Sequence, residues 1–285
     1  MTAGPLPFAR GLAATLRSAC RTVALLAISA VAMPLQALLM RLVHGQRAFA
    51  IPRLWHRGVC AILGIDVEVV GRRAQGDGIV FVGNHVSHFD IPALGSVLPA
   101  RFIAKDDMRS WPGVPFIAGL QQTVFISRRT RDAAAVAAQM RDVLRQGHNL
   151  VLFAEGTTSS GERVAPFKSS LFAPLIATIG PAVADERRIQ PFTIELLAVD
   201  GHALRGARDR DRYAYYGGMD ALAHLRGFLR GRGARLRLHL HAPIAVTSNM
   251  DRKSLTARVQ AAVAAPLAAR ETMLPPDPRS SRPDA

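Results

Sequence analysis

Short apolar runs alternate with helically patterned stretches from Ile79 to Leu240, and that alternation limits the architectures open to the chain. The runs are Ile79–Val82, Arg101–Ala104, Thr123–Ile126, Leu150–Phe153, Pro191–Leu196 and Leu236–Leu240. All have strand length, and most are rich in β-branched or aromatic residues. Between them, Thr130 is placed to cap a helix that carries Val136, Met140, Val143 and Leu144 on one face, and Gly147 is placed to end it. A second amphipathic helix is expected over Met219–Leu229, with Leu222, Leu225 and Leu229 inward and Arg226 and Arg230 outward. The pattern predicts an α/β fold with a mostly parallel central sheet flanked by helices. The chain's 285 residues accommodate one such domain with an attachment segment. We expect an N-terminal membrane-attachment helical segment at 1–47, the domain at 48–270, and a disordered tail at 271–285, where Pro, Arg, Ser and Asp predominate.

The attachment segment is predicted from Val23–Met40, about 18 residues that are nearly all apolar. That length is near the lower limit for a helix crossing hydrocarbon. Its apolar residues leave no polar face, which favours lipid over a buried core helix. Arginines flank both ends: Arg10, Arg17 and Arg21 before, and Arg41, Arg47, Arg53 and Arg57 after. A pair of short re-entrant helices broken near Pro34 keeps both flanks on the cytoplasmic side, and a single span is the alternative. One A-x-A triplet, Ala30–Ala32, lies inside the run. The other, Ala48–Ala50, follows intervening Arg41, His44 and Arg47, so retention of the segment is expected rather than cleavage. Cys20 precedes the run, the wrong order for a lipoprotein acceptor. Cys20 and Cys60 form no CxxC pair, which suits a reducing compartment.

The formal charge of +15 implies an anionic partner, whether nucleic acid, an acidic membrane or a phosphorylated substrate. Aromatic residues are only 6% and do not interleave with a basic strand, so a nucleic-acid partner is not expected.

Chemistry is concentrated in Phe81-Val82-Gly83-Asn84-His85-Val86-Ser87-His88-Phe89-Asp90, which continues directly from an expected strand. Loops after strand C-termini form the crevices of α/β sheets. Along a regular helix His85 and Asp90 would stand about 140° apart and could not pair. They can meet if His85 occupies the turn and Asp90 the first helical turn, where a carboxylate is also favoured electrostatically. An imidazole oriented by a carboxylate is a general base, able to take a proton from a hydroxyl as it attacks a thioester. Ser87 lacks the strand–elbow context of a nucleophile. A metal site built from His85, His88 and Asp90 is a competing reading. It lacks further ligands, because His239 and His241 share a strand face with Arg235 and Arg237, which would repel a cation. An ordinary capped turn has the same residues, so the motif needs corroboration.

Corroboration comes in order along the chain. A strand in Gly119–Arg128 ends at Arg128 and Arg129. Phe153-Ala154-Glu155-Gly156-Thr157-Thr158-Ser159 follows the next strand, with Phe167-Lys168 beyond, and Pro191 opens another strand. Together these resemble the four blocks of the phospholipid/glycerol acyltransferase family, which includes lysophosphatidate acyltransferases. Lys105 and the stretch from Trp111-Pro112 to Gly119 resemble the segment between its first two blocks. The match covers roughly residues 75–200.

The resemblance implies a glycerolipid acyltransferase-like fold with His85 as base and Asp90 as its partner. It puts Arg128 on the acceptor's phosphate, a role suited to a bidentate guanidinium. Glu155, Gly156, Thr157, Lys105 and Lys168 would complete substrate binding, and no cofactor or metal is implied. The expected reaction moves a fatty acyl group from acyl-CoA or acyl carrier protein to a lysolipid acceptor, 1-acylglycerol-3-phosphate first, without a covalent acyl-enzyme. Membrane lipids are the further partners, and the expected location is the inner membrane with the site facing the cytoplasm.

Two departures bear on the acceptor. Ala154 stands where the family usually has proline, and Thr158 where many members carry arginine, leaving Arg163 or Lys168 to supply positive charge. The Glu155–Ser159 and Phe167–Ser170 segments also resemble the branch that acylates lyso-ornithine lipid, which is the alternative acceptor.

Overall fold

The computed structural model describes residues 7–110, 118–119, 121–126, 133–178 and 187–273. Helices α1 (Pro7–Leu42) and α2 (Ala50–Leu63) come first, followed by β1 (Ile65–Gly71), β2 (Ile79–Gly83), α3 (Asp90–Val97), β3 (Ala100–Lys105) and β4 (Val124–Ile126). Then come α4 (Ala133–Arg145), β5 (Asn149–Phe153), α5 (Phe172–Ala177), β6 (Arg187–Val199) and β7 (His202–Ala203). The described chain ends with α6 (Ala207–Arg210), α7 (Ala221–Arg230), β8 (Ala234–Leu240), β9 (Ile244–Val246) and α8 (Arg252–Met273).

The strands form one mixed sheet in the order β1-β8-β6-β2-β5-β3-β4, with β7 and β9 also pairing with β6. Its centre is parallel, with β2 between β5 and β6 and β3 between β5 and β4. The pair β1 and β8 runs the other way, because β8 is antiparallel to β6. Each apolar run expected to be a strand is one. Strand β1 is not such a run, because Asp66 and Glu68 break up its apolar residues, and α2 and α8 are likewise additional to the expected elements.

A parallel strand must be apolar on both faces. In β2, Ile79 and Phe81 enter one buried cluster with α2, α3 and α7, while Val80 and Val82 enter another with α4, α5 and α8. Alternating side chains thus bind the two helical layers to one sheet. Pro191 lies inside β6, where a missing N–H normally breaks a ladder. It falls where β6 changes antiparallel partner, from β9 at Arg187–Ile189 to β8 from Phe192 onward. The neighbouring Gln190 bridges the gap, donating to the Arg72 and His241 carbonyls at 2.8 Å each and accepting from Ala74 N–H at 2.8 Å.

On α4, Val136, Met140, Val143 and Leu144 are all buried, and Gly147 ends the helix at φ +76°; Thr130 lies outside the described residues. On α7 one expectation fails: Leu222 is 53% exposed, and Phe228 joins Leu229 in the core. The helix starts only at Ala221, capped by Asp220 accepting from Ala223 N–H at 2.6 Å, and it is anchored by its last turn. There Arg17 and Arg21 of α1 bind the carbonyls of Leu229, Arg230 and Gly231. Cations suit that negative helix end.

A further correction concerns α1, which runs unbroken through Pro34 rather than as two short helices. Proline removes one backbone bond from a helix of 36 residues, and docking holds the turns on either side. Trp55 Nε1–H donates to Ser29 Oγ at 3.0 Å, and Gln36 Nε2–H to the Ala48 carbonyl at 3.1 Å. From Arg17 to Gln36, about 28 Å of helix, α1 therefore lies along the domain. The side turned outward carries Leu12, Leu16, Val23, Leu26, Val31, Leu35, Leu38 and Leu42, all exposed.

Candidate active site

Because β2 and β5 are parallel neighbours, the loops after Gly83 and Phe153 leave the same sheet edge side by side. Ala154 N–H donates to the Gly83 carbonyl at 3.0 Å and Ser159 N–H to the His85 carbonyl at 2.8 Å, joining the two loops. The first of these bonds needs an N–H, which proline lacks. Ala154 therefore extends the ladder by one rung.

Asn84 prolongs the sheet on the other side. Its amide donates to the Ile194 carbonyl at 3.0 Å and accepts from Ile194 N–H at 2.7 Å, imitating a strand pair. Chain direction is thereby fixed immediately before His85. Gly83 is required here, because a Cβ would lie 2.3 Å from the Phe192 carbonyl oxygen.

His85 Nδ1 lies 2.8 Å from Asp90 Oδ2. The same oxygen accepts from Val86 N–H at 2.6 Å and Ser87 N–H at 2.9 Å, while Asp90 Oδ1 accepts from the Tyr213 hydroxyl at 2.9 Å. Asp90 opens α3 and is fully buried. A neutral imidazole that donates Nδ1–H to a carboxylate has its lone pair on Nε2, the geometry of an oriented base. The His85 side chain is 17% exposed. Phe153 stacks on its ring at 3.7 Å and 11°, fixing the plane of the imidazole.

Glu155 lies buried beside this pair. Burial pushes its carboxyl up to about 7, partly opposed by hydrogen bonding from Ala165 N–H at 3.1 Å, from Ser159 and from the His85 backbone. Gly156 turns at φ +70°, and the aliphatic part of Lys168 lies over it so closely that a Cβ would be 3.0 Å from Lys168 Cδ. Thr157 and Lys168 are exposed at the mouth of this loop. Gly161, at φ +67°, packs against Val86, and Arg210 donates to its carbonyl at 3.2 Å.

The structure thus brings His85, Asp90, Glu155, Gly156, Thr157 and Lys168 to one sheet edge. The backbone of Lys105 ends β3 opposite Ile126, but its side chain is outside what is described. Arg128, Arg129 and 111–117 lie outside the described residues. Asn84 and Phe153, which lie inside the motifs, add a sheet-like clamp and a stacking ring that the motif residue types do not announce. Tyr213 is 123 residues from Asp90 in sequence, and no spacing signal points to it.

His88 turns its ring into Phe89, Tyr215 and His224, with centroids at 4.2, 5.2 and 5.1 Å, and burial pushes it down to about 4. The face bearing His239 and His241 is less cationic than expected. Glu195 accepts from His239 at 2.9 Å, and Arg237 pairs with Glu68 at 3.1 Å. Among the described residues, no group of three or more His, Cys, Asp and Glu side chains is arranged to hold a metal ion.

The chain is similar to several known proteins. An acyltransferase family model matches residues 65–195, from β1 into β6. A lyso-ornithine lipid O-acyltransferase of Brucella abortus is 35% identical, covering 90% of this chain and 97% of that protein. A 1-acyl-sn-glycerol-3-phosphate acyltransferase of Neisseria meningitidis is 41% identical over 42% of this chain and 48% of its own length. The crystal structure of the 1-acyl-sn-glycerophosphate acyltransferase of Thermotoga maritima shares the fold. It has a TM-score of 0.64 and 19% identity, and the alignment covers 92% of this chain and 99% of that one. With so similar a relative matched over nearly its whole length, this chain belongs to the acyltransferase family.

Proposed function

We propose that this acyltransferase esterifies the free hydroxyl of lyso-ornithine lipid, drawing the acyl group from acyl carrier protein or acyl-CoA, with His85 as general base. The observation that carries the mechanism is the 2.8 Å contact between His85 Nδ1 and a fully buried Asp90, which leaves Nε2 as the free nitrogen. In the proposed step, the acceptor oxygen bonds to the thioester carbonyl carbon as its proton passes to Nε2. The C–S bond then breaks, and the thiolate leaving group takes that proton. Asp90 stabilises the imidazolium in between. The enzyme itself forms no covalent bond to the acyl group.

Two features favour the ornithine acceptor over lysophosphatidate. Relatives named for lyso-ornithine lipid match this chain over 70% or more of their own length, whereas the Neisseria lysophosphatidate enzyme aligns over 48% of its own. In addition, Thr158 puts no cation where many family members have arginine. An ornithine carboxylate is a monoanion that Lys168, folded over Gly156, can meet alone. Arg128 is proposed to assist it.

The outward apolar side of α1 supports attachment within one leaflet. Because α1 is docked lengthwise on the domain, burying that side in lipid holds the sheet edge near the interface. Donors of this type are cytosolic, so the cytoplasmic face is the proposed location.

The test is acyl transfer by purified enzyme in mixed micelles, with lyso-ornithine lipid and lysophosphatidate compared side by side, for wild type and His85→Ala. Expected are at least tenfold higher kcat/KM for lyso-ornithine lipid and at least a hundredfold loss in the variant. Faster turnover of lysophosphatidate would reassign the acceptor. Near-normal turnover by His85→Ala would end the mechanism.

A further inference from the structure

Asp90 is fully buried, and its two oxygens are served unequally. Oδ2 takes His85 Nδ1 and two backbone amides, whereas the hydrogen bond to Oδ1 comes from the Tyr213 hydroxyl. Tyr213 is itself fully buried, its ring 5.8 Å from Phe89 and 5.9 Å from Phe228. Phenylalanine would fill that aromatic space without a hydroxyl to satisfy, so the O–H is costly there unless it is used. Burial next to Asp90 raises the phenol pKa well above the ordinary tyrosine value, so it remains a donor across the working range.

The segment around Tyr213 also grips both loops of the site. Tyr215 N–H donates to the Val86 carbonyl at 2.9 Å, and Arg210 holds the Gly161 carbonyl at 3.2 Å. This connection between β7 and α7 lies beyond the residues matched by the family model.

We propose that Tyr213 is a positioning residue for acyl transfer, its hydroxyl on Asp90 Oδ1 locking the carboxylate and setting how strongly Oδ2 holds the His85 Nδ1 proton. The proposal rests on His85 acting as the base. A donor on Oδ1 draws negative charge away from Oδ2. Without it, Oδ2 grips Nδ1–H harder, favouring the imidazolium, and the carboxylate loses one of the bonds that fix its plane. The titratable groups facing the pair are Glu155 from the loop after β5, His88 from the same turn with His224 of α7 behind it, and Cys60 of α2 near Tyr213. A change confined to the tyrosine ring leaves all of them in place.

The experiment uses the full chain in mixed micelles, recording pH profiles of kcat/KM and the split between kcat and acceptor KM. Tyr213→Phe is expected to lower kcat about tenfold at unchanged acceptor KM and to raise the acidic limb by roughly half to one pH unit. Incorporation of 3-fluorotyrosine at position 213 makes a stronger donor of nearly the same shape and is expected to move that limb downward. Limbs that stay put in both proteins, limbs that move in the same direction, or a Tyr213→Phe kcat within twofold of wild type would overturn the proposal. If Tyr213→Phe fails to fold, the direction of the fluorotyrosine shift decides alone. His85→Ala run in parallel separates two failures. If it is inactive while both tyrosine variants behave as wild type, only the role of Tyr213 falls. If it is active, the base assignment falls first.

Discussion

Replacing Glu155 by glutamine isolates the cost of burying a carboxyl in the loop after β5. Burial moves the Glu155 carboxyl from 4.5 to about 7, which penalises the ionised folded state by about 3 kcal/mol at 1.36 kcal/mol per pH unit. The direction follows from linkage. In the unfolded chain Glu155 ionises as pH passes 4.5, whereas in the folded protein it keeps its proton until about 7. Stability contributed by the protonated side chain is therefore complete below 4.5, falls as pH rises through this window, and levels off above 7. Glutamine has no such titration and still offers an oxygen to Ala165 N–H. Denaturant unfolding of both proteins, followed by circular dichroism at several pH values from 4 to 8.5, should show their stability difference shifting toward Glu155→Gln by about 3 kcal/mol across that range. A difference that does not vary with pH would refute the reasoning, because it would mean that burial does not govern this carboxyl. Acyl transfer is expected to fall in the same variant even as stability at pH 8 rises, as for a site that spends stability on function.

Two further outcomes follow from backbone geometry and from surface. Gly161→Ala forces a side chain onto a residue at φ +67° with its Cβ 2.7 Å from Val86 Cγ2, so a loss of about 1–3 kcal/mol in thermal stability is expected, with lowered kcat because Val86 belongs to the His85 turn. Leu26→Ser with Val31→Ser alters side chains that are 66% and 69% exposed. Vesicle sedimentation should show binding weakened about tenfold per residue at an unchanged melting temperature, and unaltered binding would remove the apolar side of α1 from membrane attachment.

Much of this arrangement is local and therefore written in the sequence. Strands β2 and β5 are short apolar runs because a parallel strand is covered on both faces. The encounter of His85 with Asp90 needs only a turn followed by the first residue of a helix, a matter of five residues. The glycine at 156 and the packing side of α4 follow from backbone sterics and helical periodicity in the same way.

Other features depended on which elements lie side by side. Nothing near Leu222 reveals that α7 docks by its last turn on two arginines of α1, so a leucine at an inward period ends at the surface. Apolarity and Pro34 alone left two helices or one equally open at the N-terminus, and lengthwise packing on α2 and α7 decided for one. The pairing of Glu195 and Glu68 with the arginines and histidine of β8 crosses strand boundaries that no periodicity records. Tyr213 is the clearest case. Its hydroxyl reaches Asp90 only because β6 and β7 carry the chain across the sheet and back. A contact made over 123 residues is set by topology, whereas periodicity and spacing report only what neighbours along the chain can do.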